Sequence, residues 1–179
     1  MSETLASPLC NPIASTHSVL FSDVVSSTDM IDRDGELAWL ATLERHARLL
    51  NSLAGHNSGS VSNFLGDGFM VLFDHAADAV ACALRIQEAS SVQGLLGIRI
   101  GVDHGDIYPY HEGWWVGRTI HHAARLTDLC DAGDVVLSQR CFDSARERIA
   151  LPAGTEQVVH LRGFCEPSVV HIVRPDRLL

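Results

Sequence analysis

Two acids stand where their surroundings suit chemistry. Asp23 follows an apolar run, Val19-Leu20-Phe21-Ser22, and Asp67 stands between two glycines, Gly66 and Gly68, 44 residues later. Either acid alone reads as a solvated turn residue, since acids are common where strands end and chains reverse. As a pair they say more, if their two strands are neighbours. Two carboxylates brought to one edge repel unless a cation lies between them. The flanking glycines let backbone approach closely there. A pair of divalent ions, Mn²⁺ or Mg²⁺, roughly 3.5–4 Å apart is the usual device for in-line phosphoryl chemistry.

Composition narrows the field. The chain has 179 residues and a formal net charge of −9, with 22 acids against 13 basic residues. Every basic residue is arginine, so no lysine can clamp a phosphate as in a P-loop or form a Schiff base. The acid excess argues against a nucleic-acid partner, because no basic patch can neutralise a run of phosphates. An anionic small substrate would need metal ions to offset its charge. The five cysteines are odd in number and show no CxxC spacing, so they read as reduced thiols. No apolar run approaches the ~20 residues of a membrane span. The start, Met-Ser-Glu-Thr, has neither the basic nor the apolar region of a leader. A cytoplasmic protein with no membrane partner is expected.

The elements that must position the acids follow from periodicity. Residues 1–16 read as a flexible tail, and 17–179 as one domain. Strands are predicted at 17–25, 59–65, 69–73, 96–103, 135–138, 158–161 and 169–173. Helices are predicted at 35–56, 75–90, 118–130 and 139–149, the first with Leu37, Leu40, Leu43, Ala47, Leu50 and Leu53 at helical spacing. Gly66-Asp67-Gly68 is the tight turn of a hairpin, and 103–117 reads as a turn-rich loop. The order βαββαβαβαββ predicts an α+β fold, a mostly antiparallel central sheet with helices on one face.

Six motifs in order carry a family resemblance. Phe21-Ser22-Asp23-Val24-Val25-Ser26-Ser27-Thr28 and Phe64-Leu65-Gly66-Asp67-Gly68-Phe69-Met70 resemble the two metal motifs of the class III nucleotidyl cyclases. Ile98-Arg99-Ile100-Gly101-Val102 with His104-Gly105-Asp106 resembles that family's central strand and turn. Ala123-Ala124-Arg125-Leu126, then Gly133-Asp134-Val135-Val136-Leu137-Ser138, then Leu161-Arg162-Gly163 follow in family order. The resemblance spans about residues 17 to 175 and implies a ferredoxin-like cyclase fold. It also implies a head-to-tail homodimer with active sites at the interface.

By that resemblance, Asp23 and Asp67 hold two divalent metal ions and the Val24 carbonyl completes one shell. Arg125 of the partner subunit meets charge developing on the α-phosphate. Phe21 counts among the substrate-binding residues, and Arg162 replaces a lysine that binds triphosphate. Without the resemblance, Arg125 and Arg162 read as surface charges. Three positions depart from the family pattern. Asn63 stands where ATP-using members have a lysine, Trp114 where they have an acid or threonine, and His121 where an asparagine orients the ribose. Arg118 lies one turn before His121 on the same helix face and would assist the phosphates. His121 and His122 point to different sides of their helix and fit no zinc spacing. No counterpart of the family's second phosphate arginine is found before the third helix.

A base pocket without a lysine and with a tryptophan has lost its adenine-reading pair. A smaller ring fits the shortened pocket and stacks on the indole. The sequence therefore points to a pyrimidine cyclase, UTP in preference to CTP. It is similar in this to the bacterial pyrimidine cyclases of anti-phage defence, whose cyclic product activates a separate effector. The alternatives are a purine cyclase with a rearranged pocket and a catalytically silent nucleotide-binding module.

Overall fold

The apolar run that leads to Asp23 becomes a central strand. The computed structural model describes residues 12–65, 68–93, 97–111 and 113–175. In it β1 (Ser15–Val24) lies between β3 (Gly68–Phe73) and β4 (Ile98–His111), antiparallel to both. β2 (Ser60–Leu65) pairs with β3 to form the predicted hairpin. The sheet continues through β6 (Val135–Ser138), β8 (Ser168–Val173) and β7 (Gly154–Val159) in the order β2-β3-β1-β4-β6-β8-β7. β4 and β6 run parallel, and the other described pairings are antiparallel.

Alternation along the strands divides the core between two faces. Leu20, Val71, Phe73, Ile100 and Val102 pack in one cluster with residues of α2 (Glu36–His56), α3 (Ala76–Val92) and α5 (Gln139–Arg146). Val19, Phe21, Met70 and Leu72 pack in another, with Ala123 and Ile120 of α4 (Arg118–Thr127). β1 is buried from Ser18 to Ser22, as a strand covered on both faces must be. α4 sits so close to β4 that a Cβ at Gly101 would fall 2.5 Å from the Ala123 carbonyl oxygen and the Thr127 amide nitrogen.

The mostly antiparallel α+β sheet with flanking helices matches the expectation from sequence, but several details differ. The helices do not share one face: α4 covers the face opposite α2, α3 and α5. An unpredicted helix, α1 (Ser27–Asp34), precedes α2, and Gly35 at φ 84° makes the corner between them. α1 buries no residue, so no apolar stripe announces it. The stretch read as a loop at 103–117 is mainly strand, because β4 runs on to His111 and pairs with β5 (Trp114–Val116). β1 begins inside the expected tail, at Ser15, while residues 1–11 lie outside the described residues. The order is thus βααββαββαβαββ. No helix among the described residues is long and apolar enough to cross a membrane.

Candidate active site

Strand register brings the acid edge together. Ser22 pairs with Phe69, so one further step sets Asp23 opposite Gly68, the residue that pairs with Leu65 to close the β2–β3 hairpin. The two motif strands are therefore neighbours. Asp67 itself lies outside the described residues, and so does the side chain of Asn63. On its other side Asp23 pairs in register with Arg99 of β4, and the Arg99 guanidinium forms an ion pair with the Asp23 carboxylate. The two side chains are 29% and 23% exposed, so solvent screens the pair weakly. Val24, next along β1, is buried and pairs with Ile98.

The strand end is backed by a histidine. His46 of α2 is 2% exposed, with Nε2 3.3 Å from Ser22 Oγ and its ring edge-on to Phe69 at 5.1 Å. Burial pushes its pKa down to about 4, so the ring is neutral at ordinary pH. It adds no charge behind the acids.

A basic face forms elsewhere, on α4 and the turn after β7. Arg118, His121 and Arg125 recur at helical spacing, and with Arg162, Gly163 and Phe164 they line a cavity of about 480 Å³. The Arg118 guanidinium lies 4.9 Å from the centroid of the Phe164 ring, which holds it at the cavity wall. Arg125 Nη1 is 3.1 Å from Asp128 Oδ2 one turn along the helix. Such a surface pair is weak and readily exchanged for a phosphate. Three arginines and a histidine in one cavity make an anion-binding wall.

The neighbouring His122 points the other way, as its position on the helix requires. Its Nδ1 is 3.0 Å from Asp103 Oδ2 and its Nε2 is 3.1 Å from Ser168 Oγ. Asp103 is fully buried in β4 and also accepts from the His104 amide at 2.8 Å and from Arg140 Nη2 at 3.1 Å. Burial alone would push this carboxyl up, but His122, Ser138 and Arg140 together hold it below the usual carboxylate range. His122 thus braces α4 against β4, while His121 faces the cavity.

The remaining predicted residues fall as follows. Phe21 is 8% exposed, and its ring packs in the core with residues of α4. Trp114 opens β5 opposite His111 and is 56% exposed. No hydrogen bond or ion pair among the described residues joins Asp23 to Arg118, His121, Arg125 or Arg162. Asp23 and the arginine-lined cavity stand on different elements, β1 on the one hand and α4 with the Arg162 turn on the other. Sequence reasoning missed Arg99, which is 76 residues from Asp23 and meets it only through cross-strand register.

Similarity to known proteins agrees with this architecture. The family model for the adenylate and guanylate cyclase catalytic domain matches residues 12–167. An uncharacterised protein of Mycobacterium tuberculosis is 34% identical over 171 residues, covering 92% of this chain and 58% of that protein. The chain therefore spans just under six-tenths of the length of such relatives. Among solved structures, an adenylate/guanylate cyclase/hydrolase from Silicibacter pomeroyi superposes with a TM-score of 0.81 at 23% identity, covering 93% of this chain and all of that one. The adenylyl cyclase CyaB from P. aeruginosa superposes with a TM-score of 0.79 at 21% identity, covering 94% of this chain and 99% of that one. At these identities the solved structures speak for the fold. With motifs, fold and family model in agreement, the chain belongs to the adenylate and guanylate cyclase catalytic domain family.

Proposed function

We propose that the chain is a nucleotidyl cyclase that assembles its active site between two copies. The observation that carries this reading is the division of the site. Asp23 and its hairpin neighbour lie at one edge, and Arg118, His121, Arg125 and Arg162 lie in a separate cavity. Head-to-tail pairing of two copies brings one subunit's acids to the other's arginines, twice.

The donor set fits divalent metal ions. Asp23 is a carboxylate already paired with the Arg99 guanidinium, and Gly68, next to Asp67 in sequence, begins the neighbouring strand β3. Among the described residues no three His, Cys, Asp or Glu side chains cluster as a closed metal cage. An open site built from few carboxylates suits ions that share a triphosphate. When bound, the ions would lower the pKa of the ribose 3′-hydroxyl and offset triphosphate charge. Asp23 and Asp67 would hold them, with the Val24 carbonyl completing one shell.

The chain's own groups do the rest. The 3′-oxygen forms a bond to the α-phosphorus, the bond from that phosphorus to the bridging oxygen breaks, and diphosphate leaves. The hydroxyl proton passes to solvent. Arg125 meets charge developing on the α-phosphoryl oxygens, which a permanently charged planar fork does without reorganising. His121 positions the ribose. Arg118 and Arg162 hold the outgoing phosphates.

Base choice rests on Asn63 and Trp114. Asn63 keeps a donor and an acceptor without charge, and Trp114 offers a ring face and one N–H. That set supports a pyrimidine; the substrate assigned is UTP before CTP, a choice the pocket residues do not themselves make, and the cyclic product serves as a messenger for a separate effector. A purine reading has its own support. The solved relatives are named adenylyl and guanylyl cyclases. Incubating the protein with each of ATP, GTP, CTP and UTP plus Mn²⁺ and identifying the cyclic product decides between them. Cyclic UMP as the main product is expected, and the double variant Asn63→Lys, Trp114→Asp should shift turnover toward ATP. Turnover of purine nucleotides alone would refute the pyrimidine assignment.

A further inference from the structure

The carboxylate that the proposed reaction assigns to a metal ion is already held by an arginine. Asp23 and Arg99 are register partners across β1 and β4, so main-chain pairing fixes both ends. The strands cannot drift apart to break the pair; only side-chain motion can. Both groups are more than two-thirds shielded, which keeps the attraction from being screened away. Arg99 is tethered lightly otherwise. Its Nε is buried without a hydrogen-bond partner, and the guanidinium reaches Asp23 through Nη2. Turning the guanidinium away therefore costs the ion pair and no other described side-chain hydrogen bond. A competing cation that takes the carboxylate releases it.

We propose that Arg99 is a displaceable latch on Asp23, which occupies the carboxylate in the empty site and yields it when a divalent ion binds. The inference rests on reading Asp23 as a metal-holding residue. The latch relieves repulsion between acids gathered at one edge before metal arrives. It also sets the metal concentration at which the site fills, because each ion must break an ion pair to bind.

Direct metal binding tests this without any turnover. Mn²⁺ affinity is measured by electron paramagnetic resonance, in the absence of nucleotide, for the wild-type chain, Arg99→Gln and Asp23→Asn. Removing the competing cation should tighten Mn²⁺ binding about tenfold in Arg99→Gln. Equal or weaker binding in that variant, with Asp23→Asn weakened, would overturn the latch and leave the metal reading standing. Unchanged binding in Asp23→Asn would overturn the metal reading itself. If Arg99→Gln does not fold, the wild-type protein still decides. The assigned Arg99 Nε–H resonance should shift as Mg²⁺ saturates the site. A resonance that stays in place at saturating Mg²⁺ means the pair persists and the latch is wrong.

Discussion

His46 is a titratable ring held neutral beside the strand end that carries Asp23, and this has a measurable consequence. Its folded pKa is about 4, whereas an unfolded histidine titrates near ~6.5. Between those values the unfolded chain binds a proton that the folded chain refuses, so stability falls as pH falls through that window. Below both values the difference stops growing. The whole window is worth on the order of 3 kcal/mol. His46→Leu removes this contribution, so its urea stability should fall less than wild type between pH 6.5 and 4.5, by about 2 kcal/mol. Parallel pH profiles for the two proteins would show that His46 is not the group responsible. At this scale the sequence was informative where chemistry is local. Arg118, His121, Arg125 and Arg162 do gather in one cavity. Phe21, in the same motif as Asp23, packs in the core. The sequence was silent on Arg99, because no spacing within β4 reveals which residue lies across from it on β1.

The elements impose a tight fit between α4 and β4, and the functional face depends on it. α4 carries Arg118, His121 and Arg125 and is braced by His122 on buried Asp103. Gly101 is what lets the helix approach. A methyl group there would fall 2.5 Å from backbone atoms at Ala123 and Thr127, which cannot move independently of the helix. Gly101→Ala should therefore cost about 1–3 kcal/mol in urea unfolding and lower catalysis by displacing α4. Wild-type stability in that variant would mean the helix has slack. The same elements explain which parts of the fold were legible. α2 and α3 were found nearly to the residue, although α2 buries Trp39, Thr42, His46, Leu50 and Ala54 and leaves Leu37 and Leu40 of the expected stripe exposed. β4 was cut short because Gly105, Asp106 and Pro109 are turn-formers in isolation. Long-range pairing overrides them: Thr16 pairs with Asp106, Ser15 with Ile107, and Pro109 with Trp115 of the short β5. Propensity is local and this ladder is not. α1 was missed because it lies on the surface with nothing buried.

At the scale of the whole molecule, the proposed cyclase site divides into two halves on one chain. The acid edge ends β1, and the arginine cavity lies on α4 and the turn at Arg162. The absence of lysine fits the proposed site, in which arginines would face the phosphates and Asn63 the base. Two copies paired head to tail give two composite sites, each with acids from one chain and Arg125 from the other. The most direct measurement of that claim is diphosphate release by Asp23→Ala, by Arg125→Ala, and by an equimolar mixture of the two after subunit exchange. Each variant alone spoils both sites of its dimer and should be inactive. In the mixture half the dimers are hybrids with one intact site, so activity should return to about a quarter of wild type. A mixture that stays silent although the subunits exchange, or an active Asp23→Ala or Arg125→Ala protein on its own, would contradict the shared site.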